Sequence, residues 1–248
     1  MVANLSRSFG GIRAIDDISF TVAEHQMYGL IGPNGAGKTT LLNCVSGVLT
    51  PEAGTVRLRS VELAGLASHK VMRKGVSRTF QTTEHFKNFS VLEFVLLGRL
   101  SRRVTSVWGC GLGMPLVGRS ERRERAYIGE LLERFSLAEY AQADLREISY
   151  GTQKIVDVVR AVASEPALLL LDEPTSGSSE SERQMLRRVM SELVTSGVTT
   201  IVVDHDVGFV RDCCDSMMAM AVGAKLCEGA PVDVMSDPAV MSSYLGNS

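Results

Sequence analysis

The sequence predicts an α/β fold built around a mostly parallel sheet. Short apolar runs end in turn residues, stretches of helical periodicity lie between them, and the strand pattern vanishes between about residues 82 and 149. Taken in chain order, the candidate strands are Ile18–Val22, Gln26–Ile31, Thr55–Leu58, Ala167–Leu171, Val198–Val203 and Met217–Met220. Little sequence precedes Leu5, so an incomplete first strand is expected. Glu180–Leu193 sets Met185, Leu186, Val189, Met190 and Leu193 on one stripe with charges opposite, the pattern of an amphipathic helix packed on a sheet. Residues 82–149 read as a helical insertion. Its clearest helices are Val91–Leu100 and Glu121–Phe135, joined through a Gly-containing linker at Trp108–Gly118.

A chain of 248 residues suits one large α/β domain, with or without an insertion. A net charge of −2 offers no overall attraction to nucleic acid or anionic lipid, so no nucleic-acid partner is expected. The Arg122, Arg123 and Arg125 cluster is interleaved with Glu121 and Glu124 and reads as a solvated helix face. Five cysteines without C-x-x-C spacing suggest reduced thiols and a cytoplasmic setting. The apolar runs are far short of a bilayer span, so any membrane role is peripheral.

The chemistry is concentrated in Gly32-Pro33-Asn34-Gly35-Ala36-Gly37-Lys38-Thr39, which follows an apolar strand and precedes the helical run Thr40–Val45. This strand–loop–helix is a P-loop: glycines let backbone N–H groups converge on phosphate oxygens, and the helix N-terminus adds a favourable dipole. Lys38 supplies charge to the β- and γ-phosphates of ATP, and the Thr39 hydroxyl is suited to Mg²⁺. A second apolar run ends in Asp172-Glu173, at the strand end where α/β sheets bind ligands. Asp172 is expected to hold Mg²⁺ through water, and Glu173 to orient or deprotonate the attacking water; capping of the next helix is the alternative for either acid.

Further along the chain come Gln81 after an expected strand at Val76–Phe80, the run Ile148-Ser149-Tyr150-Gly151-Thr152-Gln153, and His205 after a strand. With the P-loop and the acidic pair, their order resembles that of ABC-transporter ATP-binding subunits over essentially the whole chain. The resemblance implies a P-loop NTPase core (residues 1–81 and 150–248), an antiparallel β portion and a helical subdomain (82–149) ending at the signature. It also implies that Phe9 stacks on adenine, the alternative being a core Phe, and that Gln81 senses Mg²⁺ and water. Ser149 and Gly151 would contact the γ-phosphate held by a second, identical or homologous subunit, while Ser149 alone reads as a helix N-cap. His205 would contact the γ-phosphate and position Glu173. The implied partners are membrane permease subunits at the inner face of the cell membrane and, indirectly, a solute-binding protein.

Ser6–Ala14, Arg78–Gln81 and Val91–Arg99 resemble the corresponding stretches of branched-chain amino acid import systems, to which urea and amide importers are closely similar. A permease-independent nucleotide switch with weak hydrolysis is the other reading. Three departures stand out: Thr152 where Gln is usual, Ser178-Ser179 where Leu and an acid or Asn are usual, and Ala221-Val222-Gly223 in place of an Asp-Gly turn. Ser179 and Glu182 can still form a capping box for the helix starting at Glu180.

Overall fold

The structure, a computed structural model, describes residues 1–80, 82–100 and 115–245. Gln81 and most of the Trp108–Gly118 linker lie outside the described residues. The last residues of that linker belong instead to a helix, α4, which spans Pro115–Arg134.

Ten strands form two sheets among the described residues. Strands β1 (Val2–Phe9), β2 (Ile12–Phe20), β4 (Ala53–Leu58) and β5 (Val61–Glu62) make an antiparallel sheet of order β2-β1-β4-β5. The larger sheet contains β3 (Met27–Ile31), β6 (Val76–Arg78), β7 (Leu168–Asp172), β8 (Thr200–Val203), β9 (Ser216–Ala221) and β10 (Ala224–Gly229). Its order is β10-β9-β3-β8-β7-β6, parallel throughout except for β10 at the edge. The predicted class, mostly parallel with an antiparallel portion, is the one observed.

The central strands read as unbroken apolar runs because both faces are covered. Leu169 and Leu171 of β7 face one core, with Met27, Ile31, Val202, Met217 and Ala219; Leu168 and Leu170 face another, with Tyr28, Leu30, Ile201, Met218 and Met220. The first core is completed by α3 (Val91–Leu97), α4, α5 (Tyr150–Ala163), α6 (Glu180–Thr195) and α7 (Val207–Cys213). The second core includes the antiparallel sheet, α1 (Lys38–Val45) and α2 (Ser68–Arg73). Two short helices, α8 (Pro231–Ser236) and α9 (Pro238–Leu245), close the chain against the first core.

Several sequence expectations need correction. The first strand is well formed: β1 runs over eight residues and pairs with both β2 and β4. The expected Ile18–Val22 strand ends at Phe20 and begins at Ile12. The Val76–Phe80 ladder stops at Arg78, and the Phe80 amide donates instead to Asp157 Oδ2 of α5 at 2.6 Å. Helix α3 ends at Leu97 rather than Leu100. Its start is fixed by a capping box between Ser90 and Glu93. Arg122, Arg123 and Arg125 are exposed, as expected of a solvated face. No helix among the described residues is long and apolar enough to cross a membrane.

Candidate active site

The phosphate loop leaves the C-terminal end of β3 and enters α1 through Gly37, which sits at φ 98°. A Cβ there would lie 2.2 Å from the Ala14 carbonyl oxygen of β2, so only glycine fits both the dihedral and the space. Gly37 provides no side-chain cap, which leaves the first-turn N–H groups of α1 directed at any bound anion. The Lys38 ammonium donates to the carbonyl oxygens of Gly32 (2.6 Å) and Pro33 (2.9 Å), curling the loop back on itself. Burial lowers the Lys38 pKa, and the negative charges of Glu173, Asp172 and Asp204 act against that shift. All three acids stand at the ends of β7 and β8; β8 lies beside β3 in the sheet and β7 beside β8. Asn34, Gly35 and Thr39 are exposed, Thr40 and Pro33 half-buried, and Ala36 buried; the Ala36 carbonyl accepts from the Gly223 amide at 3.1 Å.

The acidic pair stands at the end of β7. Asp172 Oδ2 is held at 2.6 Å by Arg78, whose guanidinium also bonds Asn43 Oδ1 of α1 at 2.6 Å. Glu173 has φ 49°, a left-handed conformation uncommon for a non-glycine residue, and its amide donates to the Val203 carbonyl at 2.7 Å. At the end of β8, Asp204 is fully buried and accepts from the Thr175 hydroxyl (2.7 Å), the Thr175 amide (2.9 Å) and the Asp206 amide (2.9 Å). The same carboxylate faces His205 Nδ1 at 3.5 Å, while the rest of the imidazole is largely exposed. Asp204 thus fixes the turn after Glu173 to the turn that carries His205.

Ser149 caps α5: its Oγ accepts from the Thr152 amide at 3.2 Å, as its sequence position suggested. Thr152 is buried and its Oγ1 accepts from Ser149 Oγ at 2.9 Å, so the departure from Gln leaves the turn packed and bonded. One turn further on, Lys154 Nζ donates to the Glu173 carbonyl at 2.8 Å. Ser179 caps α6 and forms the expected box with Glu182. Phe9 ends β1 with 43% of its surface exposed and the Arg7 guanidinium 5.0 Å from its ring centroid, which rules out the core alternative. Gln81 lies outside the described residues.

Sequence reasoning overlooked Arg78, Lys154, Asp204 and Glu182. Asp204 carried a signal, an acid at the end of an apolar strand beside His205; Glu182 was read only as a helix cap.

Residues 15–176 match the family model described as ABC transporter. The high-affinity branched-chain amino acid transport ATP-binding protein BraF of Pseudomonas aeruginosa is 34% identical over all of this chain and 97% of its own length. The corresponding protein LivG of Escherichia coli K12 is 32% identical with the same coverage. Among solved structures, an ATP-binding cassette of an ABC transporter in its ADP conformation superposes with a TM-score of 0.83 at 26% identity, covering 99% of this chain and 98% of that one. A fold that gathers a phosphate loop, an acidic pair and a histidine at the ends of β3, β7 and β8, matched over the whole chain, makes this protein a member of the ABC transporter family, an ATP-binding subunit of its ATPase class.

Proposed function

We propose that the chain is the ATP-hydrolysing motor of an importer for branched-chain amino acids. Two such subunits, identical or homologous, close around two ATP molecules. The observation that carries the motor reading is that Lys38, Asp172, Glu173 and Asp204 all follow or end the neighbouring parallel strands β3, β7 and β8, at one end of the sheet. In it, Gly32–Thr40 hold the triphosphate and Phe9 stacks on adenine. Glu173 takes a proton from the attacking water, His205 steadies the γ-phosphate, and Gln81 links nucleotide state to the helical subdomain. Ser149 and Gly151 reach the γ-phosphate bound to the opposite subunit.

The donor set fits Mg²⁺: the exposed Thr39 hydroxyl and the Asp172 carboxylate are hard oxygen ligands, and Arg78 engages Oδ2 of that carboxylate. The cation would neutralise charge on the β- and γ-oxygens.

The substrate class is supported by the full-length similarity to BraF and LivG. A permease would dock on residues 82–149 and on the apolar groove beside them, where Val48, Met72, Phe80 and Leu100 are exposed next to Phe86 and Leu97. A solute-binding protein would act on the far side of the membrane. The test is affinity purification of the chain from membranes, followed by reconstitution with the permease that accompanies it. Leucine- or valine-stimulated ATP turnover is expected; turnover that responds to urea or amides alone, or a chain that never copurifies with a permease, would overturn the reading.

A further inference from the structure

Glu182, in the first turn of α6, reaches across to the N-terminus of α5. Its carboxylate accepts from the Ser149 hydroxyl through Oε1. Through Oε2 it accepts from the Ser179 amide (2.6 Å) and the Ser179 hydroxyl (2.7 Å). A Cβ built on Gly151 would lie 2.4 Å from the Glu182 Cδ and Oε2 and 2.7 Å from Oε1, so the carboxylate lies directly on the glycine. An anion therefore occupies the positive end of α5, in contact with both residues assigned to the partner's γ-phosphate. The Glu182 pKa is lowered, chiefly by the Ser149 hydroxyl and then by Ser179, so the group is ionised at neutral pH.

We propose that Glu182 is an internal stand-in for phosphate, and that the Ser149–Gly151 turn accepts a partner's nucleotide only after this carboxylate is displaced. The proposal rests on the reading of Ser149 and Gly151 as the trans phosphate contact. A serine hydroxyl has one proton to donate, and in the resting chain the Glu182 carboxylate competes with Thr152 Oγ1 for it. An incoming γ-phosphate must take that proton and also meet a like charge at close range. Displaced from Ser149, the carboxylate retains the Ser179 amide and hydroxyl as partners, so α6 remains capped during the exchange. Subunit pairing is thereby given a threshold in ATP concentration that the phosphate loop alone does not set.

The experiment uses the full chain carrying Glu173→Gln, titrated with ATP and Mg²⁺, with dimer mass read by light scattering. Adding Glu182→Gln keeps a capping side chain but removes the charge, and should lower the ATP concentration for half-maximal pairing about ten-fold, as expected for one charge-assisted hydrogen bond. Glu182→Ala should shift it in the same direction, and thermal melting without nucleotide checks that both variants fold. An unchanged or raised half-point would show that Glu182 is inert or helps to position Ser149, and would overturn the proposal. Gly151→Asp separates the two failures. If it abolishes pairing while Glu182→Gln has no effect, only the stand-in role falls. If Gly151→Asp pairs normally, or the Glu173→Gln chain does not pair at all, the trans contact falls and the proposal with it.

Discussion

Lys154 ties the helix that begins at Ser149 to the backbone of Glu173, its ammonium donating to the Glu173 carbonyl at 2.8 Å. In the proposed function Ser149 serves the nucleotide of the partner and Glu173 that of its own chain, so this bond would join elements that serve different ATP molecules. Lys154→Met should keep the helix and lose the tether. The expected outcome is a kcat lowered about ten-fold with KM changed by less than about three-fold, since a hydrogen bond to a charged group contributes about 1.5–3 kcal/mol. Steady-state turnover across ATP concentrations checks the split between kcat and KM.

Glu173→Gln preserves the shape of the side chain while removing its proton acceptor. Turnover should fall by at least about 100-fold, within the range that general-base catalysis contributes, while ATP still drives pairing. Chromatography with ATP and Mg²⁺ should show a dimer; a monomer with normal turnover would remove Glu173 from the base role.

Asp204 accepts three hydrogen bonds in a fully buried position. Asp204→Asn turns an NH₂ toward at least one of those donors, and the unfolding free energy should drop by about 2 kcal/mol. Urea denaturation measures that loss. Turnover should fall further than stability alone explains, because His205 Nδ1 then faces a neutral amide in place of a carboxylate.

Val222 sits at φ 48°, followed by Gly223 at φ 79°, in the turn joining β9 and β10. Two positive φ angles in sequence favour Asn-Gly or Asp-Gly, and a β-branched residue in the first position is strained. The residue is 88% exposed and gives little packing in return. Val222→Asn should therefore stabilise the fold by about 1 kcal/mol and raise Tm by about 2–4 °C, read by differential scanning calorimetry.

Two of the capping carboxylates, Glu93 and Glu182, give the stability a defined acid limb. The Glu93 pKa is lowered mainly by the Ser90 amide and then its hydroxyl, and that of Glu182 mainly by the Ser149 hydroxyl. A carboxylate with a depressed folded pKa stabilises fully above its unfolded pKa and loses that contribution as pH falls through the folded value. Both caps should be intact at neutral pH and released below the ordinary glutamate range. Thermal melts from neutral to acid pH should show a shallower acid decline in the Glu93→Gln, Glu182→Gln double variant.

The parts of the site legible in sequence are those written in local spacing. The phosphate loop, Asp172-Glu173 and the Ser179–Glu182 cap each lie within a few residues, and strand or helix context confines what they can do. Arg78–Asp172, Ser149–Glu182 and Lys154–Glu173 span 94, 33 and 19 residues; the pairing of β6 with β7 brings the first together, and the packing of α5 beside α6 and β7 the other two. The strand bounds at the start failed for a different reason. Register shifts interrupt β1 between Val2 and Leu5 and again before Arg7, with Asn4 at φ 50°, so the buried Val2 and Leu5 are three residues apart. In β2 the buried Ile15 and Ile18 have the same spacing around Asp17 at φ 54°. A search for period-two alternation passes over such strands.

The central sheet supplies alternate side chains to two separate cores, so neither core can dissolve while the other keeps its wall. Leu169 cannot leave its neighbours without moving Leu168 and Leu170, which are wedged on the opposite side of the same backbone. Loss of order on the helical face is thus transmitted through the strands to the antiparallel face, and the molecule is built to melt as one cooperative unit rather than by shedding a layer.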